Sequence, residues 1–148
     1  MDLNKFWNSG AYSTAANPKW IQLNLGQPQT VTGLMLYVRQ DPGGAAVHQI
    51  LTGPTTNPTT VSKQISCNLE SGQTINVNFD PPLTNTQYIK INTPSSTSWV
   101  AWNEITVFGT APSVQTTTPG IIFSGDGSAT FGQGDASINN WVVGGLNY

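Results

Sequence analysis

The sequence predicts an all-β fold, an antiparallel sandwich or barrel, and two observations support this. Hydrophobic and polar residues alternate along short segments, as in 20–25, where Ile21, Leu23 and Leu25 fall on one side of an extended strand. Turn-forming Gly and Pro residues separate these segments, because Gly permits positive φ and Pro cannot donate a backbone hydrogen bond. Short strands at such spacing are typical of antiparallel sandwiches and barrels.

The predicted strands either alternate in this way or are rich in β-branched residues. In chain order they are 20–25, 31–38, 47–52, 61–66, 74–79, 87–92 and 104–108. The segments between them carry the turn formers, at 26–28, 41–44, 53–54, 70–72 and 81–82. The order of strands and turns therefore contains no segment that the pattern assigns to a helix.

The last quarter of the chain, from residue 110, is organised differently. Residues 110–119 are rich in Thr and Pro and have no hydrophobic period, which predicts an extended linker. After it come strand-like segments with too few apolar groups for a separate domain: 120–123, 128–131 and 141–143. We therefore expect a single domain over 1–148, with a main body at 1–109 and a tail at 120–148 that completes the sandwich.

Composition excludes several classes of function. Only 8% of the residues are charged, five Lys and Arg against seven Asp and Glu, so the chain lacks the basic field that binds nucleic acid.

Ser, Thr, Asn and Gln supply 55 of the 148 residues, a profile that favours a secreted or cell-surface protein. No apolar run is long enough to span a bilayer, and the N-terminus does not resemble a signal peptide. We expect any export signal to have been removed or to lie outside this sequence.

Catalysis is not expected either. The acidic residues are scattered through predicted loops and strand ends, and no pair is marked for acid and base roles. A Cys67–His48 dyad is conceivable from residue types, but nothing suggests a third group to orient it. As the single cysteine, Cys67 cannot form an intramolecular disulfide, and we expect it to be a buried or half-buried hydrophobic residue.

Four motifs resemble a known family. They are WNSG at 7–10 leading to WIQLNLG at 20–26, VTGLMLYVR at 31–39, QYIKI at 87–91 and WVAWNEITVFG at 99–109. In this order and at this spacing they are similar to discoidin (coagulation-factor C-type) domains, over roughly 2–109. The resemblance implies a jelly-roll β-sandwich of the galactose-binding-domain-like type. It also implies carbohydrate binding, as in family-32 modules that bind galactose-type or related sugars.

The chain departs from the family pattern at its beginning. Discoidin domains have a strand and a loop before the first Trp motif, whereas this chain has only six residues before Trp7. Reading 127–148 and then 1–7 restores an order similar to the family's beginning, which suggests a circular permutation with 114–119 joining the original ends. The rival hypothesis is a frame-shifted unit of a tandem array, whose tail would dock on a neighbouring copy. We expect a monomer rather than such a swapped oligomer.

The resemblance also places the ligand site, on loops at one end of the sandwich that correspond here to 8–17, 39–48 and 95–102. A neutral sugar needs a flat aromatic face for its ring and fixed polar groups for its hydroxyls. The candidate ligand-binding residues of both kinds are Trp99, Tyr12, His48, Arg39, Asp41 and Asn8. The alternative for these residues is a place in the core or a merely structural or solvated role. Trp7, Trp20 and Trp102 are expected to be core residues.

A structural calcium ion is a further implication of the resemblance, with Asp2, Asn4 and Glu104 as its candidate ligands. Their oxygen atoms suit calcium, and the alternative for Glu104 is a plain hydrogen-bonding carboxylate. We therefore expect a non-catalytic carbohydrate-binding module with a neutral sugar as its partner. The alternatives are an adhesion module that binds protein or phospholipid, and a structural spacer. The predicted loops hold few large apolar residues, which disfavours membrane insertion.

Overall fold

A computed structural model of the chain describes residues 6–110, together with the backbone of 120–121, 128–131 and 137–138. These residues form an all-β structure, as predicted. Its strands are β1 Trp7–Tyr12, β2 Lys19–Val38, β3 Gly44–Gly53, β4 Val61–Leu69, β5 Thr74–Ser96, β6 Trp99–Thr110, β7 Gly120–Ile121, β8 Ser128–Phe131 and β9 Ser137–Ile138. No helix in this part of the chain is long and apolar enough to cross a membrane.

The strands form one antiparallel hydrogen-bonded sheet in the order β4-β3-β5-β2-β6-β1-β9, with β7 on β6 and β8 on β2. The two longest strands, β2 and β5, take part in both halves of it. Early in β2, Ile21 pairs with Ile91 of β5, whereas later Leu34 pairs with Val77 of β5 on one side and Val107 of β6 on the other. Both halves contribute to one buried hydrophobic cluster. The sheet therefore folds over a single core as a β-sandwich.

The length of β2 differs from the sequence-based prediction, which divided it into two strands at 26–28. Gly26 does adopt a positive φ of 82° there. The ladder between β2 and β5 is irregular between Asn24 and Gln29, so Pro28 takes no regular ladder position that would need its missing N–H. Likewise, β5 joins the predicted strands 74–79 and 87–92. Gly26 and Pro28 in β2, and Pro81 and Pro82 in β5, thus lie within strands that continue past them.

The core contains two of the three tryptophans assigned to it. Trp7 and Trp102 are each 1% exposed. Trp20 is only half-buried, because it alternates with the inward-facing Ile21 and so lies on the outer face. There the Lys90 ammonium lies 4.2 Å from the centre of the Trp20 ring, and partial burial lowers the pKa of this lysine.

The tail contributes backbone to the same sheet. Gly120 pairs with Gly109 in the β6–β7 ladder, β8 pairs with β2 from Ile21 to Asn24, and β9 pairs with β1 at Trp7. Two of these strands fall within predicted strand-like segments, whereas the predicted segment 141–143 lies outside the described residues. The domain boundaries and the circular permutation remain predictions.

Candidate functional site

The loops predicted to bind ligand meet at one end of the sandwich, and we call them the loop rim (residues 8–17, 39–48 and 95–102). Backbone hydrogen bonds join them. Ser96 N donates to Ser13 O at 3.1 Å, and Thr97 N donates to Ala45 O at 3.0 Å. Segments far apart in sequence are therefore held in fixed positions relative to each other.

Serine hydroxyls reinforce these joints. The buried Ser13 donates its backbone N–H to Ser96 Oγ at 2.9 Å, and Ser96 Oγ in turn donates to Ser98 O at 2.5 Å. On the neighbouring strand, Val100 N donates to Ser9 Oγ at 2.8 Å. These short side chains satisfy backbone groups that have left regular ladders. The high Ser content of the rim thus has a structural use.

Two aromatic side chains stand out from the rim. Tyr12 is 64% exposed and Trp99 is 40% exposed, and among the described residues only Val61 is another exposed large hydrophobic residue. Tyr12 and Trp99 are cross-strand partners in the β1–β6 ladder. Side chains at such positions leave the same face of a sheet about 5 Å apart. The rim therefore presents adjacent aromatic groups to solvent.

Polar groups lie beside this aromatic pair, but some are already engaged. Asp41 is exposed, and its backbone carbonyl accepts a 3.4 Å hydrogen bond from the hydroxyl of Ser98, the residue before Trp99. Arg39 Nη1 donates to Ser71 Oγ at 2.9 Å, which leaves further N–H groups of this half-buried guanidinium. Its carbon lies 5.6 Å from the centre of the Phe6 ring. Of the two charged candidates, Asp41 is the more open to a ligand.

Asn8 takes part in the local structure of β1. It is 8% exposed, and its Oδ1 accepts a 2.8 Å hydrogen bond from Gly10 N. Gly10 itself has a positive φ of 71°. An Asn side chain that bonds two residues ahead stabilises such a turn. Only the Asn8 amide nitrogen remains as a candidate ligand donor.

The prediction that His48 contacts ligand is wrong, because the structure places this side chain inside the core. His48 has 0% exposure, its Nδ1 lies 2.7 Å from Thr93 Oγ1, and its ring meets Trp102 edge to face at 4.9 Å. Burial lowers its pKa to about 4. The reason is strand periodicity: His48 alternates in phase with Ala46 and Ile50, which also face the core. His48 lies at the end of the predicted loop 39–48 and within the predicted strand 47–52, and the strand extends back to Gly44.

The proposed calcium ligands are only partly within the described residues. Asp2 and Asn4 lie outside them. Glu104 is half-buried, and its Oε1 accepts a 3.0 Å hydrogen bond from Thr106 Oγ1. The described residues contain no cluster of three or more His, Cys, Asp or Glu that could hold a metal. Calcium takes six to eight oxygen ligands, so Glu104 would need further ligands beside it, and the calcium site remains a prediction.

Sequence reasoning missed a groove away from the loop rim, which we call the distal groove. It has a volume of about 580 Å³ and is lined by the end of β3, the beginning of β4 and the bend of β5. Gly44 of the rim and Gly53 of the groove lie at the two ends of β3, about 30 Å apart along the strand. The sequence marks this region by the turn formers at 53–54 and 81–82 and by Asn85, which has a positive φ of 54°.

A β-sandwich with aromatic and polar groups on a rigid rim of loops is the architecture of a ligand-binding module. Comparison with protein families agrees: the model of the F5/8 type C domain matches residues 2–106. The chain therefore belongs to the F5/8 type C (discoidin) family, whose domains are in general non-catalytic modules that bind carbohydrates or phospholipids. Comparisons with curated proteins and with solved structures gave no significant match.

Proposed function

We propose that this chain is a non-catalytic carbohydrate-binding module that holds a neutral sugar, of the galactose type or a related one, at the loop rim. The exposed cross-strand pair of Tyr12 and Trp99 carries the proposal. The C–H face of a sugar ring packs against such aromatic faces, and hydroxyls bind the polar groups at their edge. Because such glycans are displayed outside cells, a secreted or surface location is part of the proposal.

Each rim residue has a distinct role in this proposal. Trp99 and Tyr12 stack on the sugar ring, and the Asp41 carboxylate accepts hydrogen bonds from its hydroxyls. Arg39 donates through N–H groups that Ser71 does not use. The buried His48 supports the rim from below through Thr93 and has no contact with the ligand.

The charge of the rim favours a sugar over an anionic phospholipid surface. Phospholipid recognition by electrostatics needs a cluster of Lys and Arg side chains open to the headgroups. Lys19 is 3% exposed, and Arg39 is half-buried and bonded to Ser71. Insertion into the bilayer needs aliphatic or aromatic residues that project in number, and the described part of the rim exposes two.

A glycan array run with the full chain tests the proposal. We expect selective binding to neutral glycans that falls at least about tenfold in Trp99→Ala and in Tyr12→Ala, which corresponds to about 1.4 kcal/mol or more. Trp20→Ala and Tyr88→Ala are matched controls, since both residues are half-buried on strands outside the rim. Their affinities should stay within about twofold of the unsubstituted chain.

Two results would contradict the proposal. One is binding to glycans that the rim variants leave unchanged, and the other is silence across neutral glycans together with binding to phosphatidylserine vesicles. Running the array with calcium and with EDTA also tests the calcium hypothesis. Binding that EDTA lowers would support an ion near Glu104, and binding that EDTA leaves unchanged would contradict its need.

A further inference from the structure

The distal groove lies where the two layers of the sandwich diverge. β4 is the edge strand of the sheet, and the register pairs of the first half of β5 are with β2. β4 and β5 follow one another along the chain through a turn closed by a hydrogen bond from Gln73 N to Glu70 O. After this turn the two strands separate, because β4 pairs with β3 whereas the first half of β5 pairs with β2. The space between them opens toward the end of β3, where the groove lies.

Among residues 6–110, those on this side of the core cover it only in part. In the part of the chain whose burial is described, the half-buried hydrophobic residues that pack against the core come from the two diverging strands: Ile65, Cys67, Ile75 and Leu83. Leu83 lines the distal groove together with Phe79, which is 7% exposed. The groove therefore has an apolar floor that is continuous with the core.

The remaining lining groups are polar and balanced in charge. Thr52 Oγ1 and Ser62 Oγ lie 2.6 Å apart and share a hydrogen bond, and each hydroxyl keeps further hydrogen-bonding capacity. Lys63 and Asp80 contribute one positive and one negative charge. The walls are too polar for a purely apolar ligand, and the charges too balanced to select a phosphate or another polyanion.

A neutral molecule with many hydroxyls and exposed C–H faces fits this combination. We propose that the distal groove is a second carbohydrate site that binds a neutral mono- or disaccharide. Its volume of about 580 Å³ falls within the range of roughly 300–1,000 Å³ for small-molecule sites. The inference shares its ligand class with the function proposed for the loop rim and shares none of its residues.

Two sites at opposite ends would make the module bivalent. Occupation of both allows one domain to bridge two glycan chains, and it strengthens binding to a polymer without any new contact. The loop rim alone cannot bridge two chains in this way. Binding at the loop rim alone and binding at both sites can therefore be distinguished in solution.

The test uses amide chemical shifts of the full chain, titrated to saturation with galactose, lactose, N-acetylglucosamine or cellobiose so that each affinity can be fitted. We expect at least one probe to shift the amides of Thr52, Ser62 and Asn85 at the groove. In Trp99→Ala, the affinity of the groove for that probe should stay within about twofold of its value in the unsubstituted chain. Addition of inorganic phosphate, as a charged comparison, should leave the groove amides unshifted.

Blocking the groove supplies the second half of the test. Thr84 is exposed and lines the groove, so Thr84→Trp should fill it and lower its affinity at least about tenfold. Thr74→Trp is the matched control, because Thr74 is exposed on the same strand and outside the groove. Retention of the native amide spectrum in both variants shows that each is folded.

The outcomes separate this inference from the proposed function. Probe-induced shifts confined to the loop rim overturn the second site and leave the proposed function standing. Shifts confined to the groove support the second site and contradict the function proposed for the rim. Absence of shifts at both ends with every probe overturns both.

Discussion

Acidification should destabilise the domain through His48, whose imidazole is fully enclosed. Its ordinary pKa of 6.5 falls to about 4 in the folded protein because burial penalises the charged form. The surroundings offer a neutral hydroxyl from Thr93 and the ring of Trp102. Nε2 has no hydrogen-bond partner among the described residues, so protonation would add a buried charge and a second N–H.

The direction and size follow from the two pKa values. The unfolded chain binds the proton near pH 6.5 and the folded chain only near pH 4. The full stability is therefore present above pH 6.5, falls progressively between pH 6.5 and pH 4, and levels off below the folded pKa. At about 1.4 kcal/mol per pH unit, the loss from this residue amounts to about 3 kcal/mol.

Urea unfolding followed by tryptophan fluorescence measures this loss, at about pH 7 and about pH 4. Carboxylates also titrate in this range, so the decisive quantity is the difference from His48→Gln, which cannot titrate there. We expect the variant to be less stable at about pH 7 and to lose about 3 kcal/mol less on acidification.

A direct titration of the His48 ring protons in the unsubstituted chain covers the case in which the variant does not fold. The imidazole should remain neutral until the pH falls below about 5. Titration of the folded protein near pH 6.5, or equal acid sensitivity in both chains, would refute the reasoning.

Two further predictions concern the stability of the loop rim and of the sheet. Ser13 Oγ donates to Thr93 O and accepts from Lys19 N, so Ser13→Ala should lower the free energy of unfolding by about 1–3 kcal/mol, measured in urea against the exposed Ser95→Ala. Gly33→Ala would place a Cβ 2.6 Å from a backbone oxygen of β5 and should destabilise by at least about 1 kcal/mol. Thermal unfolding measures this loss of stability, with the exposed Thr32→Ala as the control. An unchanged Tm for the Gly33 variant would contradict the prediction and show that the backbone of β5 can move away from the added methyl group.

Local sequence predicted the parts of the fold that depend on local periodicity. The alternation of Ile21, Leu23 and Leu25 identified both a strand and its buried face, because side chains of a strand point to opposite faces in turn. β1 was not predicted as a strand, since WNSGAY lacks this alternation and depends on pairing with β6. The continuity of β2 and β5 was missed for the opposite reason, because Gly and Pro usually end a strand.

The candidate site was predictable to a smaller extent. The family resemblance named three segments that the structure joins by hydrogen bonds, but it did not decide which side chains would be exposed. His48 illustrates the difference: it belongs both to the predicted strand 47–52 and to the predicted loop 39–48, and a polar His beside the apolar Val47 gives no local signal that His48 faces the core. The shape of the distal groove had no local signal either. It arises from the divergence of β4 and β5, a tertiary feature that no single segment encodes.

The passage of β2 and β5 through both layers has a mechanical consequence. Two continuous polypeptide segments cross from one layer to the other, so neither layer can peel away without breaking the ladder between them. Force applied at a ligand held on the loops would therefore be shared by the whole domain. A domain connected in this way should unfold in one step under tension.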